Sequence, residues 1–130
     1  MKGTVKSNSD PILEIGEQAF EIEDKIDGKT QKGDPKVTLK LIGLDGPNQG
    51  RRIRHTVIFF PEGNSAEWIA KAFMSAIGVE RNPETGEFEY DTDNWPGRKF
   101  KATVEHGEYQ GQKQNNLRKI AAYHGEGAPF

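Results

Sequence analysis

The chain has 130 residues, no cysteine and a formal net charge of −2. This length favours one compact domain, and the lack of cysteine excludes disulfides, thiolate nucleophiles and thiolate zinc sites. No apolar run approaches the roughly 20 residues that a membrane-spanning helix needs, and residues 1–10 lack the apolar core of a secretory signal. We therefore expect a cytoplasmic protein without a membrane partner.

The charge is distributed unevenly along the chain. Residues 80–94 sum to −5, whereas residues 98–119 sum to +4. Arg51, Arg52 and Arg54 form a second basic cluster. Separated charge of this kind builds local potentials that the sum over the whole chain hides, so the composition is compatible with an anionic partner.

Alternating apolar and polar side chains predict three strands in the first half of the chain, over residues 18–29, 36–44 and 51–60. Turns rich in glycine, proline and asparagine separate them. In the third strand one face holds Ile53, His55, Val57 and Phe59. Arg52, Arg54 and Phe60 share the opposite face, because successive side chains of a strand alternate in direction.

One helix is predicted over residues 65–77. Its expected buried stripe, at helical spacing, is Ala66, Ile69, Phe73 and Ile77. Asn64 or Ser65 can cap the first turn, and Gly78 ends the helix by accepting a left-handed conformation. Trp68 lies at the margin of the stripe, which favours a place in the core.

An acidic loop over residues 80–97 follows the helix and carries Tyr90 and Trp95. The last two strands are predicted over residues 99–109 and 113–123. Lys99 and Lys101 fall on the outward face of the first of these two strands.

The order of elements, three strands, a helix and two strands, is the layout of the OB fold. We therefore predict a mainly β protein, a five-stranded OB-fold barrel with one helix between strands three and four. The domain would cover residues 11–124, between flexible tails over residues 1–10 and 125–130. A generic α+β sandwich is the alternative at this level of detail.

The residue constellations that catalysis requires are not visible in the sequence. His55, His106 and His124 lack the spacing of metal ligands, and Ser65 lacks the glycines of a nucleophile elbow. An adjacent lysine and helix, which a phosphate-cradling loop needs, are missing after residues 43–50. We predict a protein that is not an enzyme and has no cofactor or metal.

Cations and aromatic rings on the predicted outward faces favour a binding role. Proteins that bind single-stranded DNA without sequence preference combine cations along the phosphates with rings that stack on bases. In an OB fold the region of strands two and three carries this function. The predicted nucleic-acid-binding residues are Lys40, Arg52, Arg54, Phe60, Trp95, Lys99, Lys101, Tyr109, Lys113 and Arg118.

These residues also have ordinary structural interpretations. Lysines alternate along any solvated strand, Phe60 would pack under the helix, and Trp95 would plug one end of the barrel. The acidic residues 80–94 are either a solvated loop or a segment that competes for the basic groove. The same sheet face also fits a protein-interaction module, such as a recombinase loader or inhibitor.

Two segments, residues 50–80 and 94–123, resemble a group of small phage-encoded proteins. The shared pattern begins with a basic-apolar strand and a helix that ends in Ile-Gly, here Ile77-Gly78. A Gly-x-x-Phe strand follows, with Gly97 and Phe100. The pattern finishes with a Tyr-x-Gly turn, here Tyr109 and Gly111, and an Asn before an apolar residue, here Asn116-Leu117. Several members are regarded as OB-fold proteins that bind single-stranded DNA. The resemblance implies a replication or recombination role in the cytoplasm of an infected bacterium. Replication or recombination proteins and a second copy of the chain are candidate further partners.

Overall fold

The computed structural model describes residues 10–123, so most of both predicted tails lies outside the described residues. Within this range the chain forms five strands and one α-helix. The strands are β1 (Gly16–Lys29), β2 (Pro35–Gly43), β3 (Arg52–Ile58), β4 (Lys99–Tyr109) and β5 (Gln112–Ala122). Helix α1 (Glu67–Ala76) connects β3 to β4, so the predicted order of elements is confirmed.

The strands form one antiparallel sheet in the spatial order β3-β2-β1-β4-β5. Strand β1 is central, and Phe20 lies at the point where it pairs with both β2 and β4. The edge strands β3 and β5 do not pair with each other within residues 10–123. The structure thus confirms a mainly β fold with one helix, whereas the sheet does not close into the barrel that the sequence predicted.

The core lies between one face of the sheet and α1. Phe73 of α1 packs against Phe100 of β4 with ring centroids 5.0 Å apart, and Phe100 in turn packs against Phe20 of β1 at 5.6 Å. Trp95, which precedes β4, is 1% exposed and contacts Phe73. Each large side chain buried in this way contributes about 1.5–3 kcal/mol to folding.

The buried face of α1 differs from the predicted stripe. The buried residues are Ala70, Phe73, Met74 and Ile77, at the full i, i+3, i+4, i+7 spacing of one helical face. Ile69 and Trp68 are 46% and 64% exposed, so the predictions that placed them in or beside the core are wrong. Asn64 accepts a hydrogen bond from the backbone N–H of Ala66 at 2.8 Å, one residue before the helix begins.

Residues 10–15, here called the N-terminal strap, contact both edges of the open sheet. The side-chain amide of Asn115 in β5 accepts from the backbone N–H of Leu13 at 2.9 Å and donates to the carbonyl of Pro11 at 2.8 Å. Asn48, beside β3, makes the same two-point contact with the backbone of Glu14. Leu13 is 1% exposed. The strap therefore spans the gap between the strands that do not pair.

Candidate nucleic-acid interface

Lys40, Arg52 and Arg54 share one exposed face of the sheet, as their alternation predicted. Lys40 and Arg54 are directly opposite each other in the pairing of β2 with β3, and Arg52 lies two residues from Arg54. Because side chains two residues apart in a strand point the same way, all three project to one side. They line a shallow cleft of about 320 Å³ together with Asp10 and Glu23.

A second cleft, of about 310 Å³, lies between β3 and the turn that joins β4 to β5. Arg54 lines it from β3, and Tyr109 and Lys113 line it from the β4–β5 hairpin. Asp10 and Ile12 of the strap complete its wall. Since Arg54 and Asp10 belong to both clefts, the two adjoin. We call the joint surface the Arg54 groove.

The Arg54 groove brings together five of the ten residues that the sequence predicted: Lys40, Arg52, Arg54, Tyr109 and Lys113. Its lining carries four positive and two negative side chains, a local charge of +2 in a chain of net charge −2. Tyr109 is 65% exposed, so its ring is accessible to a planar partner.

A carboxylate already lies on the central cation of the groove. Asp10 accepts a hydrogen bond from the backbone N–H of Arg54 at 2.9 Å and from its guanidinium Nε at 3.1 Å. Arg52 donates to Glu23 at 2.7 Å. In contrast, Lys40 and Lys113 make no ion pair with any residue in the range 10–123. Arg54 thus has donors arranged for an anionic oxygen, and each of the two clefts that it lines contains one lysine, Lys40 in one and Lys113 in the other.

Lys99, Lys101 and Arg118 do not line the Arg54 groove. Each has a carboxylate partner across the sheet: Glu21 at 3.9 Å for Lys99, Glu17 at 2.7 Å for Lys101 and Glu105 at 3.7 Å for Arg118. Exposed pairs of this kind contribute only about 0–1 kcal/mol each. Their effect is to offset the positive charge of Lys99, Lys101 and Arg118 locally, whereas Lys40 of β2 and Lys113 of the hairpin have no such partner within residues 10–123.

Phe60 and Trp95 lie elsewhere than the sequence placed them. Strand β3 ends at Ile58, so the alternation stops before Phe60, which lines a cleft beside α1. Trp95 is buried under Phe59 and Tyr90 and plugs the core, the structural alternative named above. Because Trp95 is 1% exposed, the prediction that its ring is available to stack on a base is wrong.

The acidic loop does not contact the Arg54 groove through any interaction within residues 10–123. Its Asp93 pairs with Lys25 of β1, and its Thr92 donates to Asp27 at 2.7 Å. The hydrogen bonds that Lys25 donates to Asp27 and Asp93 raise the pKa of its ammonium group. The hypothesis that residues 80–94 compete for the basic groove is therefore not supported by their contacts, and Asp10 holds that position instead.

Asp10, Ile12 and Asn115 belong to the groove and were missed by sequence reasoning. Asp10 falls at the end of a polar stretch that resembles a tail, and the sequence signal beside it is the short apolar pair Ile12 and Leu13. Their contacts join residues 39 or more positions apart, such as Ile12 with Arg51 and Asp10 with Arg54 at 44 positions.

Other site classes find little support in the described part of the chain. No group of three or more His, Asp or Glu side chains within residues 10–123 is arranged to hold a metal ion. The single α-helix in that range is too short to cross a lipid bilayer.

Comparison with known proteins identifies no relative. No family model matches the chain, and no curated protein matches it significantly.

Proposed function

We propose that the protein binds single-stranded DNA, with little sequence preference, in the Arg54 groove. The observation that carries this proposal is the convergence of Arg54, Tyr109 and Lys113 on one cleft from β3 and from the β4–β5 hairpin. Cations track the phosphates of a flexible strand, and an exposed ring gives a base a surface on which to stack. A surface of charge +2 in a mildly anionic chain favours this partner locally.

The position of Asp10 supports a phosphate site at Arg54. A carboxylate and a phosphate accept hydrogen bonds from the same donors, and guanidinium groups bind both. Asp10 accepts from two donors of Arg54, one on the backbone and one on the side chain. An incoming phosphate would use these donors after Asp10 moves aside, so the strap and the DNA compete for one cation.

The arrangement of strands supports an OB-type interpretation of the fold. OB folds are partly open barrels that bind oligonucleotides on the face of strands two and three and through the loops after strands one and four. The groove combines Lys40 of β2 and Arg54 of β3 with the turn after β4, which begins at Tyr109. The strap fills the gap that β3 and β5 leave open.

Binding of a fluorescein-labelled oligo-dT, measured by anisotropy at low salt, tests the proposal. Arg54→Gln and Lys113→Gln should each weaken binding, and Tyr109→Ala should weaken it by about 1–3 kcal/mol if the ring stacks on a base. Lys101→Gln is the matched control, because it removes a cation that is paired with Glu17 and lies outside the groove. Equal losses in the control and the groove variants would contradict a localised site.

A further inference from the structure

The acidic loop builds one wall of a third cleft, which lies between the end of β3, α1 and residues 85–90. Its volume is about 500 Å³, and it shares no lining residue with the Arg54 groove. Four aromatic side chains line it: Phe59, Phe60, Phe88 and Tyr90. We call it the aromatic cleft. It contains Phe60, a predicted nucleic-acid-binding residue that lies outside the Arg54 groove, and Tyr90 of the acidic loop.

Tyr90 is a supported and partly exposed ring in this cleft. It stacks on Phe59 with centroids 4.4 Å apart and planes within 8° of parallel. Trp95 packs against both rings from the core, at 6.1 Å from Phe59 and 6.3 Å from Tyr90. Tyr90 is nevertheless 42% exposed, and burial raises the pKa of its phenol, which stays neutral at physiological pH. A ring held rigidly on one face can receive a planar group on the other.

The charge of the aromatic cleft is opposite to that of the groove. Its charged residues are Glu62, Glu67, Glu87 and Lys71. Lys71 pairs with Glu67 at 2.9 Å along the helix, so these two charges cancel. Glu62 and Glu87 are exposed and have no ion pair within the described part of the chain. The resulting charge of −2 beside exposed aromatic surface repels a polyanion and attracts a cation.

We infer that the aromatic cleft binds an arginine side chain presented by an apolar segment of a partner protein. A guanidinium is planar and cationic, so it stacks on a tyrosine ring and pairs with carboxylates through parallel hydrogen bonds. Tyr90 supplies the ring, and Glu62 and Glu87 supply the carboxylates. Phe60 and Phe88, which are half-buried, offer apolar surface for the residues that flank the arginine. Lysine, a point charge with three rotatable donors, fits this site less well.

This inference does not depend on DNA binding, because the two sites have separate linings and opposite charge. A partner protein on the aromatic cleft leaves the Arg54 groove accessible to a strand. The two sites can therefore be tested independently with variants of one exposed tyrosine in each, Tyr90 and Tyr109.

The test uses the full chain and fluorescein-labelled pentapeptides whose central residue is arginine, lysine or citrulline, with flanking positions drawn from leucine, phenylalanine and valine. Citrulline keeps the shape of arginine and removes its charge. We expect the arginine pool to bind at least tenfold more tightly than the citrulline pool and severalfold more tightly than the lysine pool. No preference for arginine over citrulline would overturn the inference.

Variants locate the binding. The double variant Glu62→Gln, Glu87→Gln changes two exposed side chains and should lower affinity for the arginine pool at least tenfold while oligo-dT affinity stays equal or rises. Glu84→Gln, in the same loop but outside the lining, is the control and should bind as the wild type does. Tyr90→Ala should impair peptide binding and Tyr109→Ala should not. Unchanged peptide affinity in the Glu62, Glu87 double variant, which needs no packing change to fold, would also overturn the inference.

Discussion

Protonation of His55 should destabilise the protein at mildly acidic pH. His55 lies on the inward side of β3, with its ring 5.9 Å from the ring of Phe73. Burial lowers the pKa of its imidazole from 6.5 to about 4, because the charged form loses much of its hydration where the ring packs beside Phe73. The unfolded chain therefore binds a proton between these two values that the folded chain does not. The stability is fully present above pH 6.5 and is lost as the pH falls toward 4.

The magnitude follows from the pKa of His55. One pH unit corresponds to about 1.4 kcal/mol for each proton that only the unfolded state binds. Between pH 8 and pH 5 the free energy of unfolding should therefore fall by about 2 kcal/mol. This range stays above the ordinary pKa values of aspartate and glutamate, about 4, so carboxylates contribute little to the change.

Urea unfolding at pH 8, 6.5 and 5, followed by circular dichroism, measures this dependence. His55→Leu, which keeps an apolar group of similar size, should remove most of the loss between pH 8 and pH 5. An NMR titration of the imidazole should show His55 neutral down to pH 5. Parallel pH profiles for the wild type and His55→Leu, or a native His55 that titrates near pH 6.5, would refute the reasoning.

Three further predictions concern the core and the groove. In Gly43→Ala the new Cβ would lie 2.2 Å from the backbone oxygen of Asn48, so we expect the free energy of unfolding in urea to fall by about 2 kcal/mol or more. Gly28→Ala is the control and should be tolerated, because its new Cβ would lie 3.4 Å from Cε of the flexible Lys36 side chain. Trp95→Ala should cost about 3–5 kcal/mol, and Trp95→Phe far less, because the indole N–H has no hydrogen-bond acceptor among the described residues. Equal losses for the two Trp95 variants would mean that this N–H has an acceptor in solution. Asp10→Asn should raise oligo-dT affinity by about fivefold at low salt, because it removes an attraction of about 1 kcal/mol between the Asp10 carboxylate and Arg54 that DNA must overcome. Unchanged affinity would show that Asp10 does not compete with DNA.

The strands and their faces could be predicted because they depend on local alternation. Val37, Leu39 and Leu41 point inward and Lys40 points outward, as a period of two requires. The shared face of Lys40 and Arg54 followed from the same rule once β2 and β3 were paired. The acidic character of residues 80–94 was also visible, although not the cleft that these residues help to build.

The remaining features depend on contacts between residues far apart in the chain. Asn115 contacts the backbone of Leu13 across 102 positions, and no local pattern indicates that pairing. Trp68 was expected near the core and is exposed, whereas Trp95 was expected on the surface and is buried. The exposure of Trp68 depends on which face of α1 meets the sheet, and that of Trp95 depends on how the chain packs before β4. The carboxylate partners of Lys99 and Lys101 come from β1, so these ion pairs could not be predicted before the register of β1 and β4 was known.

The salt dependence of oligo-dT binding tests the central claim most directly. The Arg54 groove presents four cations, Lys40, Arg52, Arg54 and Lys113, and neutralising about four phosphates of a single strand gives a slope of about −3 in log K against log salt. We expect such a slope for the wild type, tighter binding of oligo-dT than of duplex DNA, and a slope shallower by about 1.4 in the double variant Lys40→Gln, Lys113→Gln. A slope near zero, or one that the double variant leaves unchanged, would contradict the assignment of DNA binding to this groove.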